Sequence, residues 1–399
     1  SSKIADDDTV VSGQYAVTSE GELKNIETGE TVTDPELVGT PDAPADPLTK
    51  TDGVSFIPVD ASEVKDKVAA NGGDTNAATS NAEGATEESD SAGQTLSEGS
   101  ADGQMQSQAG QPQSAQSSKA STSGTVRLAA LQNKNGAYWG SYQGTPAFYA
   151  GNGDLFAQGA KGVIDVSEHN GVIDWQAVKN AGVDGVIIRI GYGAGNLDVQ
   201  AKRNVAECKR LGIPFGIYLY SYAYDADFAA LEGDSLAKMM QQLGIKNSDL
   251  AYPAYYDLEE WTWTGHQPPT KSSDYDSIVN TWYARMKAAG YTNLGVYSYT
   301  NYLKGPLNSA NIHAKVSWVA QYASQIDYTD WHSNLRGWQY SSQGQVAGIA
   351  GRVDLNAFGY AAMVTIPIYR VYNRNSGLHH YTMNTNEVSM LVKKGWKDE

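Results

Sequence analysis

The sequence predicts an α/β protein: an irregular (β/α)8-like barrel, preceded by a largely disordered acidic N-terminal region and followed by a small β-rich segment. Three observations lead there. Charge and aromatic content change sharply near residue 126, short apolar runs alternate with helical stretches from Lys161 onward, and eight such runs fall before residue 362.

Residues 1–126 hold 22 acidic side chains against 6 lysines, which is the whole formal charge of −16. They carry only two aromatics, Tyr15 and Phe56, so little apolar surface offsets the entropy of ordering. From Asn71 to Gly124 the chain is almost entirely Ala, Ser, Gly, Gln, Thr, Asn and acids, the composition of a flexible linker. Scattered Val, Ile and Leu in residues 1–70 allow short strands. We read 1–126 as an acidic low-complexity and linker region, 127–160 as a loop-rich lead-in where aromatics return, 161–362 as the barrel and 363–399 as a partial β-rich repeat. The chain opens Ser-Ser-Lys without an initiator Met or a hydrophobic leader, as expected of a processed or recloned product.

The rest of the chain is electrically balanced, with 23 acids and 23 bases, and has no basic stripe, which argues against a nucleic-acid partner. Cys208 is the sole cysteine, so no disulfide framework or Cys-based metal site forms within one chain, and a buried structural thiol is expected. No apolar run approaches the ~20 residues needed to span a bilayer.

Strands are predicted at 162–166, 185–190, 215–222, 252–258, 294–299, 316–322, 337–341 and 353–358, from apolar, β-branched and aromatic runs. Helices are predicted at 174–181, 198–211, 227–243 and 274–289. Each begins at an Asp able to cap free amides and closes at a glycine: Gly182, Gly212, Gly244, Gly290. Strand–helix–strand spacing of this kind marks parallel βα units, and the shorter late connections predict an irregular last third.

In such a barrel reactive groups gather at the C-terminal ends of the strands. Asp165 ends the first strand, Asp257 and Glu259 end the fourth in Tyr-Tyr-Asp-Leu-Glu, and Asp354 lies in the last. Residues two apart share a strand face, so Asp257 and Glu259 point one way and Leu258 the other. Barrel closure should bring Asp165 beside Asp354. Two carboxylate pairs facing one cleft suit glycoside hydrolysis, which needs one protonated and one ionised acid. Like charges held close separate their pKa values and so produce both forms. The aromatics at strand ends fit a saccharide cleft, because sugar faces stack on them: Tyr192, Tyr220, Tyr222, Tyr256, Trp261, Trp263, Trp318, Tyr322, Trp338 and Tyr340.

Other chemistries lack support. Of six His residues only His379 and His380 are close in sequence, and they lie outside the barrel, so neither a metal nor a cofactor is expected. The loop Gly191-Tyr-Gly-Ala-Gly195 lacks the Lys-Ser/Thr of a P-loop, and no Gly-x-Ser-x-Gly elbow follows a strand.

From about Lys161 to Tyr360 the chain resembles the glycoside hydrolase family 25 lysozymes. The matching pieces are Gly-Val-Ile-Asp-Val-Ser-Glu-His-Asn-Gly with Ile-Asp-Trp, Val-Ile-Ile-Arg-Ile-Gly-Tyr-Gly, Gly-Ile-Tyr-Leu-Tyr-Ser-Tyr, Tyr-Asp-Leu-Glu, Leu-Gly-Val-Tyr-Ser, Trp-Val-Ala-Gln-Tyr, Trp-Gln-Tyr-Ser-Ser and Gly-Arg-Val-Asp-Leu-Asn. The resemblance implies hydrolysis of the β-1,4 bond between N-acetylmuramic acid and N-acetylglucosamine in peptidoglycan strands. It implies Glu259 as proton donor, Asp257 beside it, and Asp165 and Asp354 as the other cleft acids. Assistance by the substrate's own N-acetyl group is favoured over direct attack by a carboxylate. Trp318, Gln321 and Tyr322 match a motif near the sugar subsites. Two departures, Tyr220-Ser221-Tyr222 on the third strand and the Trp261-Thr-Trp263 loop after Glu260, bear on which muropeptides are accepted. A monomer, secreted or associated with the cell wall, is expected. The rival readings are a wall-binding barrel without turnover and a chitinase-like glycosidase, although the longer acidic run of the latter is absent.

After Met363 the sequence looks like the start of a small β-rich repeat of secreted cell-wall enzymes, ending at Lys-Asp-Glu as a truncated copy would. A wall-binding role and a terminal packing hairpin are both open for it.

Overall fold

The computed structural model describes residues 3–70, 131–361 and 367–399. They divide into two compact units, 1–360 and 361–399.

All eight predicted barrel strands form. They are β7 (Leu155–Val166), β8 (Gly185–Tyr192), β10 (Phe215–Tyr220), β11 (Leu250–Asp257), β12 (Leu294–Tyr299), β13 (Val316–Ala320), β14 (Leu335–Gly344) and β15 (Val353–Tyr360). Neighbours pair in chain order and the barrel closes through β7. The pairings from β7 to β14 are parallel, but β15 runs antiparallel to both β14 and β7. Reversal of one strand is what makes the barrel irregular. It also puts Asp354, at the start of β15, directly opposite Asp165, near the end of β7.

The strands form because nearly every side chain on them is buried on one face or the other. All of β10, Phe-Gly-Ile-Tyr-Leu-Tyr, is buried, as is β8 up to Gly191. The helix Trp175–Asn180 is capped by Asp174, which accepts from the amides of Gln176 and Ala177, and Ala226–Gln242 by Asp225. Ala201–Leu211 ends at Gly212, whose φ of 64° is the left-handed stop that glycine takes at little cost. Asp198 serves two groups: its Oδ1 accepts from the Gln200 amide at the start of that helix at 2.9 Å, and its Oδ2 is in a buried ion pair with Arg189. The lead-in supplies a hairpin, β5 (Tyr138–Tyr142) and β6 (Thr145–Tyr149), added to the edge of β7.

Within the stretch read as an acidic linker, residues 3–70 fold. Strands β1 (Thr9–Val10), β2 (Tyr15–Val17), β3 (Leu23–Asn25) and β4 (Val59–Asp60) form an antiparallel sheet in the order β3-β2-β1-β4, followed by the helix Ala61–Ala70. Two small apolar clusters hold it, one around Ile4, Val10, Ala16 and Ala61, the other around Val11, Val17, Leu23 and Val38. The linker expected at 71–124 lies outside the described residues.

The second unit is a three-stranded antiparallel sheet, β17 (His379–Thr382), β16 (Tyr369–Tyr372) and β18 (Lys397–Asp398), with the helix Thr385–Lys393. No helix among the described residues is long and apolar enough to cross a membrane.

Candidate active site

Strand β11 ends at Asp257, and Glu259 follows it. Asp257, Glu259 and Asp165 line one cavity at the mouth of the barrel, while Leu258 turns into the core, as strand parity requires. Around them stand Arg189, Tyr218, Tyr220, Tyr297, Trp318, Tyr322 and Gln339.

The pair Asp165 and Asp354 is held by amides. The Asn356 Nδ2 donates to Asp165 at 2.7 Å, and Gln339 Nε2 bridges both acids at 3.0 and 3.4 Å. Those amides are oriented in turn by ring groups. Trp318 Nε1 donates to Asn356 Oδ1 at 2.7 Å, and the Tyr297 and Tyr322 hydroxyls both donate to Gln339 Oε1 at 2.8 Å. Every rotamer in this chain is fixed by a neighbour, which is the preorganisation a charged transition state needs.

Burial raises the Asp165 carboxyl above its ordinary range, opposed by the hydrogen bonds from Asn356 and Gln339. Burial also pushes Asp354 well up, and the Asp165 charge adds to it. Asp257 is pushed well up by burial and then by Glu259, and Glu259 is raised by burial to about 7. Asp257 Oδ1 is buried with no hydrogen-bond partner among the described residues. The two acids of each pair contend for protons that belong to the pair rather than to either residue.

Arg189 is completely buried. Its Nε donates to Asp198 at 2.8 Å, and its two terminal nitrogens grip Asp46 at 3.0 and 2.6 Å. Burial works against the guanidinium charge, but these carboxylates hold its pKa above the ordinary value. Asp46, Glu168 and His169 bring ligand atoms within 4.8 Å of one another. The Arg189 guanidinium already supplies the cation there, bound to Asp46 and 3.8 Å from Glu168.

Of the predicted binding aromatics, Tyr220, Trp318 and Tyr322 line the cavity. Tyr192 lies to one side against Tyr222, and Gln321 is not among the cavity-lining residues, its amide engaged by Thr300 and Asp327. Tyr222 is fully buried, its hydroxyl donating to the Ala45 carbonyl. Two expectations are corrected. Tyr256 faces the helical layer, stacked on Trp282 at 4.5 Å with its hydroxyl on Glu232 at 2.5 Å. Trp338 packs outside the barrel on Phe148 of the lead-in hairpin at 5.5 Å. Each neighbours an inward residue, Asp257 and Gln339, and strand alternation turns it outward. Sequence reasoning missed Gln339, Asn356, Tyr297 and Arg189. Asn356 could have been found by parity, two residues after Asp354, and Arg189 as the one charge in an apolar strand.

Residues 164–349 match the family model described as Glycosyl hydrolases family 25. The matched stretch runs through the barrel from the end of β7 to the loop before β15. Residues 324–399 also match a domain of unknown function, DUF5648. Lysozyme M1 of Streptomyces globisporus is 27% identical over 50% of this chain and 68% of its own length. The autolytic lysozyme of Clostridium acetobutylicum is 29% identical over 50% of this chain and 56% of its own. Among solved structures, the modular autolysin LytC of Streptococcus pneumoniae shares 36% identity over 55% of this chain and 52% of its own, with a TM-score of 0.52. LytC has also been solved in complex with a synthetic peptidoglycan ligand. The chain thus spans between half and about two thirds of these relatives.

Proposed function

We propose that this barrel is a glycosyl hydrolase family 25 domain that hydrolyses the β-1,4 bond between N-acetylmuramic acid and N-acetylglucosamine in peptidoglycan. The observation that carries this is the convergence of Asp257, Glu259 and Asp165 on one aromatic-lined cavity, with Asp354 linked to Asp165 through Gln339. Glu259, raised to about 7, is still protonated in a substantial fraction of molecules at neutral pH and donates that proton to the leaving glycosidic oxygen. Asp257 shares its proton equilibrium, and Asp165, fixed by Asn356 and Gln339, faces the positive charge developing at the sugar. The carbonyl oxygen of the substrate's N-acetyl group attacks the anomeric carbon as the glycosidic bond breaks, oriented by the carboxylate beside it, and water then opens the oxazolinium ion to the new reducing end and returns a proton to Glu259. Tyr220, Trp318 and Tyr322 offer faces and hydroxyls to the sugar rings. The chain acts outside the cell, at the wall, as a secreted protein. In the C-terminal unit the exposed Leu378, Tyr381 and Met383 support a wall-binding role.

Release of new reducing ends from purified peptidoglycan tests the reading, with mass spectrometry identifying the new terminal sugar. N-acetylmuramic acid at the new reducing end is expected, and Glu259→Gln should lower the rate by roughly 10²- to 10⁴-fold. Equal release by both proteins would remove Glu259 from the mechanism.

A further inference from the structure

The folded N-terminal segment crosses the mouth of the barrel. The chain enters past the Trp-rich loop. There the Thr264 amide donates to the Val38 carbonyl at 2.8 Å, Trp263 Nε1 donates to Thr40 O at 2.6 Å, and His266 Nε2 lies 3.0 Å from Pro41 O. Asp46 then docks on Arg189, with His169 Nε2 3.0 Å away. Beyond it Leu48, Lys50, Thr51 and Ser55 line the same cavity as Asp165, Asp257 and Glu259, and Ser55 Oγ donates to Asp354 at 2.5 Å. The tight turn between them depends on Gly53: its φ is +79°, and a Cβ there would come within 2.5 Å of His169 Cβ.

The charges match across this contact. An acid meets the buried guanidinium, and Lys50 sits among Glu259, Asp46 and Glu260, which hold up an ammonium that burial pushes down to about 8. The cavity left over the acids is about 50 Å³. That admits a few waters, whereas sites for small organic ligands run to roughly 300–1,000 Å³. A glycan strand cannot reach Glu259 while residues 38–58 stay in place.

We propose that residues 38–58 are an intramolecular occupant of the glycan cleft, so that the chain rests in a covered state and turns over only when this segment is displaced. The proposal rests on the cleft being the glycan site, as argued above. Because the segment belongs to the same chain, a glycan competes with an effective concentration on the order of millimolar rather than with a dilute inhibitor.

A reversible lock on the full chain tests it. A Cβ built on Gly265 lies 3.9 Å from Pro41 Cβ, within the separation that disulfides span. Gly265 has a φ of +81°, so the single variant Gly265→Cys controls for strain there. The double variant Pro41→Cys/Gly265→Cys, oxidised, should release reducing ends on the order of tenfold more slowly than the same protein reduced. It should also bind a soluble peptidoglycan tetrasaccharide correspondingly more weakly. Asp46→Ala, which needs no disulfide, should release faster than the unmodified chain. Equal release by the oxidised and reduced double variant would overturn the proposal, as would an unchanged rate in a folded Asp46→Ala. If no form cleaves, the muramidase reading fails and tetrasaccharide binding decides alone: tighter binding after reduction upholds the covered cleft, and equal binding overturns it.

Discussion

Replacing Glu259 by Gln should stabilise the protein at alkaline pH while sharply lowering its activity. The side chain is largely buried, and burial raises its pKa from 4.5 to about 7. A carboxyl whose folded pKa is raised favours the fold in its protonated form. The full contribution is present below pH 4.5 and is lost as pH rises through 7, because over that range the folded state binds the extra proton. The interval from 4.5 to about 7, at ~1.36 kcal/mol per pH unit, corresponds to roughly 3 kcal/mol. Gln has nearly the same shape and cannot ionise, so the variant escapes this loss. Thermal unfolding measured from pH 4 to pH 8.5 should show the two proteins converging at the acid end. By pH 8 the variant should melt on the order of 5 °C higher, at ~2 °C per kcal/mol for a chain of this size. Parallel curves across the whole range would refute the reasoning, since Glu259 would then titrate alike in the folded and unfolded states.

Three further outcomes follow from the packing. Tyr256→Phe removes a hydroxyl from Glu232, a buried acid that also accepts from the Tyr222 amide and Ser221, so chemical denaturation should show a loss of ~1–3 kcal/mol while KM for peptidoglycan fragments stays unchanged. A changed KM would return Tyr256 to the binding surface. Asn356→Leu leaves Trp318 Nε1 without its acceptor and Asp165 without its 2.7 Å donor; kcat should fall with little change in KM, and the acid limb of the pH–rate profile should move up as Asp165 becomes harder to ionise. An unmoved limb would show that Asn356 does not position Asp165. Cys208 is fully buried and its thiol pKa is pushed up by burial, so a thiol-specific reagent should label it only on unfolding, and rapid labelling of the native protein would contradict its placement.

Much of the barrel was legible from local patterns. Burial of both strand faces imposes continuous apolar runs, and helix ends need caps, so Asp174 and Gly212 mark boundaries that follow from backbone hydrogen bonding alone. The acids at 165, 257, 259 and 354 stood out because a charge at the end of an apolar run has few structural reasons to be there. The same local logic misjudged Tyr256 and Trp338, because an aromatic on a barrel strand is apolar enough for either side. Which side it faces depends on register, and register is a property of the assembled sheet.

By itself, then, the sequence determined the eight strands, the capped helices and the shared face of Asp257 and Glu259, all consequences of period and propensity within a few residues. Only the tertiary structure decided that β15 runs backward to set Asp354 against Asp165, and that Gln339 and Asn356 hold those acids. It alone brought Asp46 to Arg189 and Ser55 to Asp354, across 143 and 299 residues of chain. An average over residues 1–126 registers charge and lacks aromatics, and it dilutes the few apolar side chains that build the small N-terminal sheet. Pairings so distant leave no periodic trace, because they depend on complementary charge and shape between surfaces far apart in the sequence.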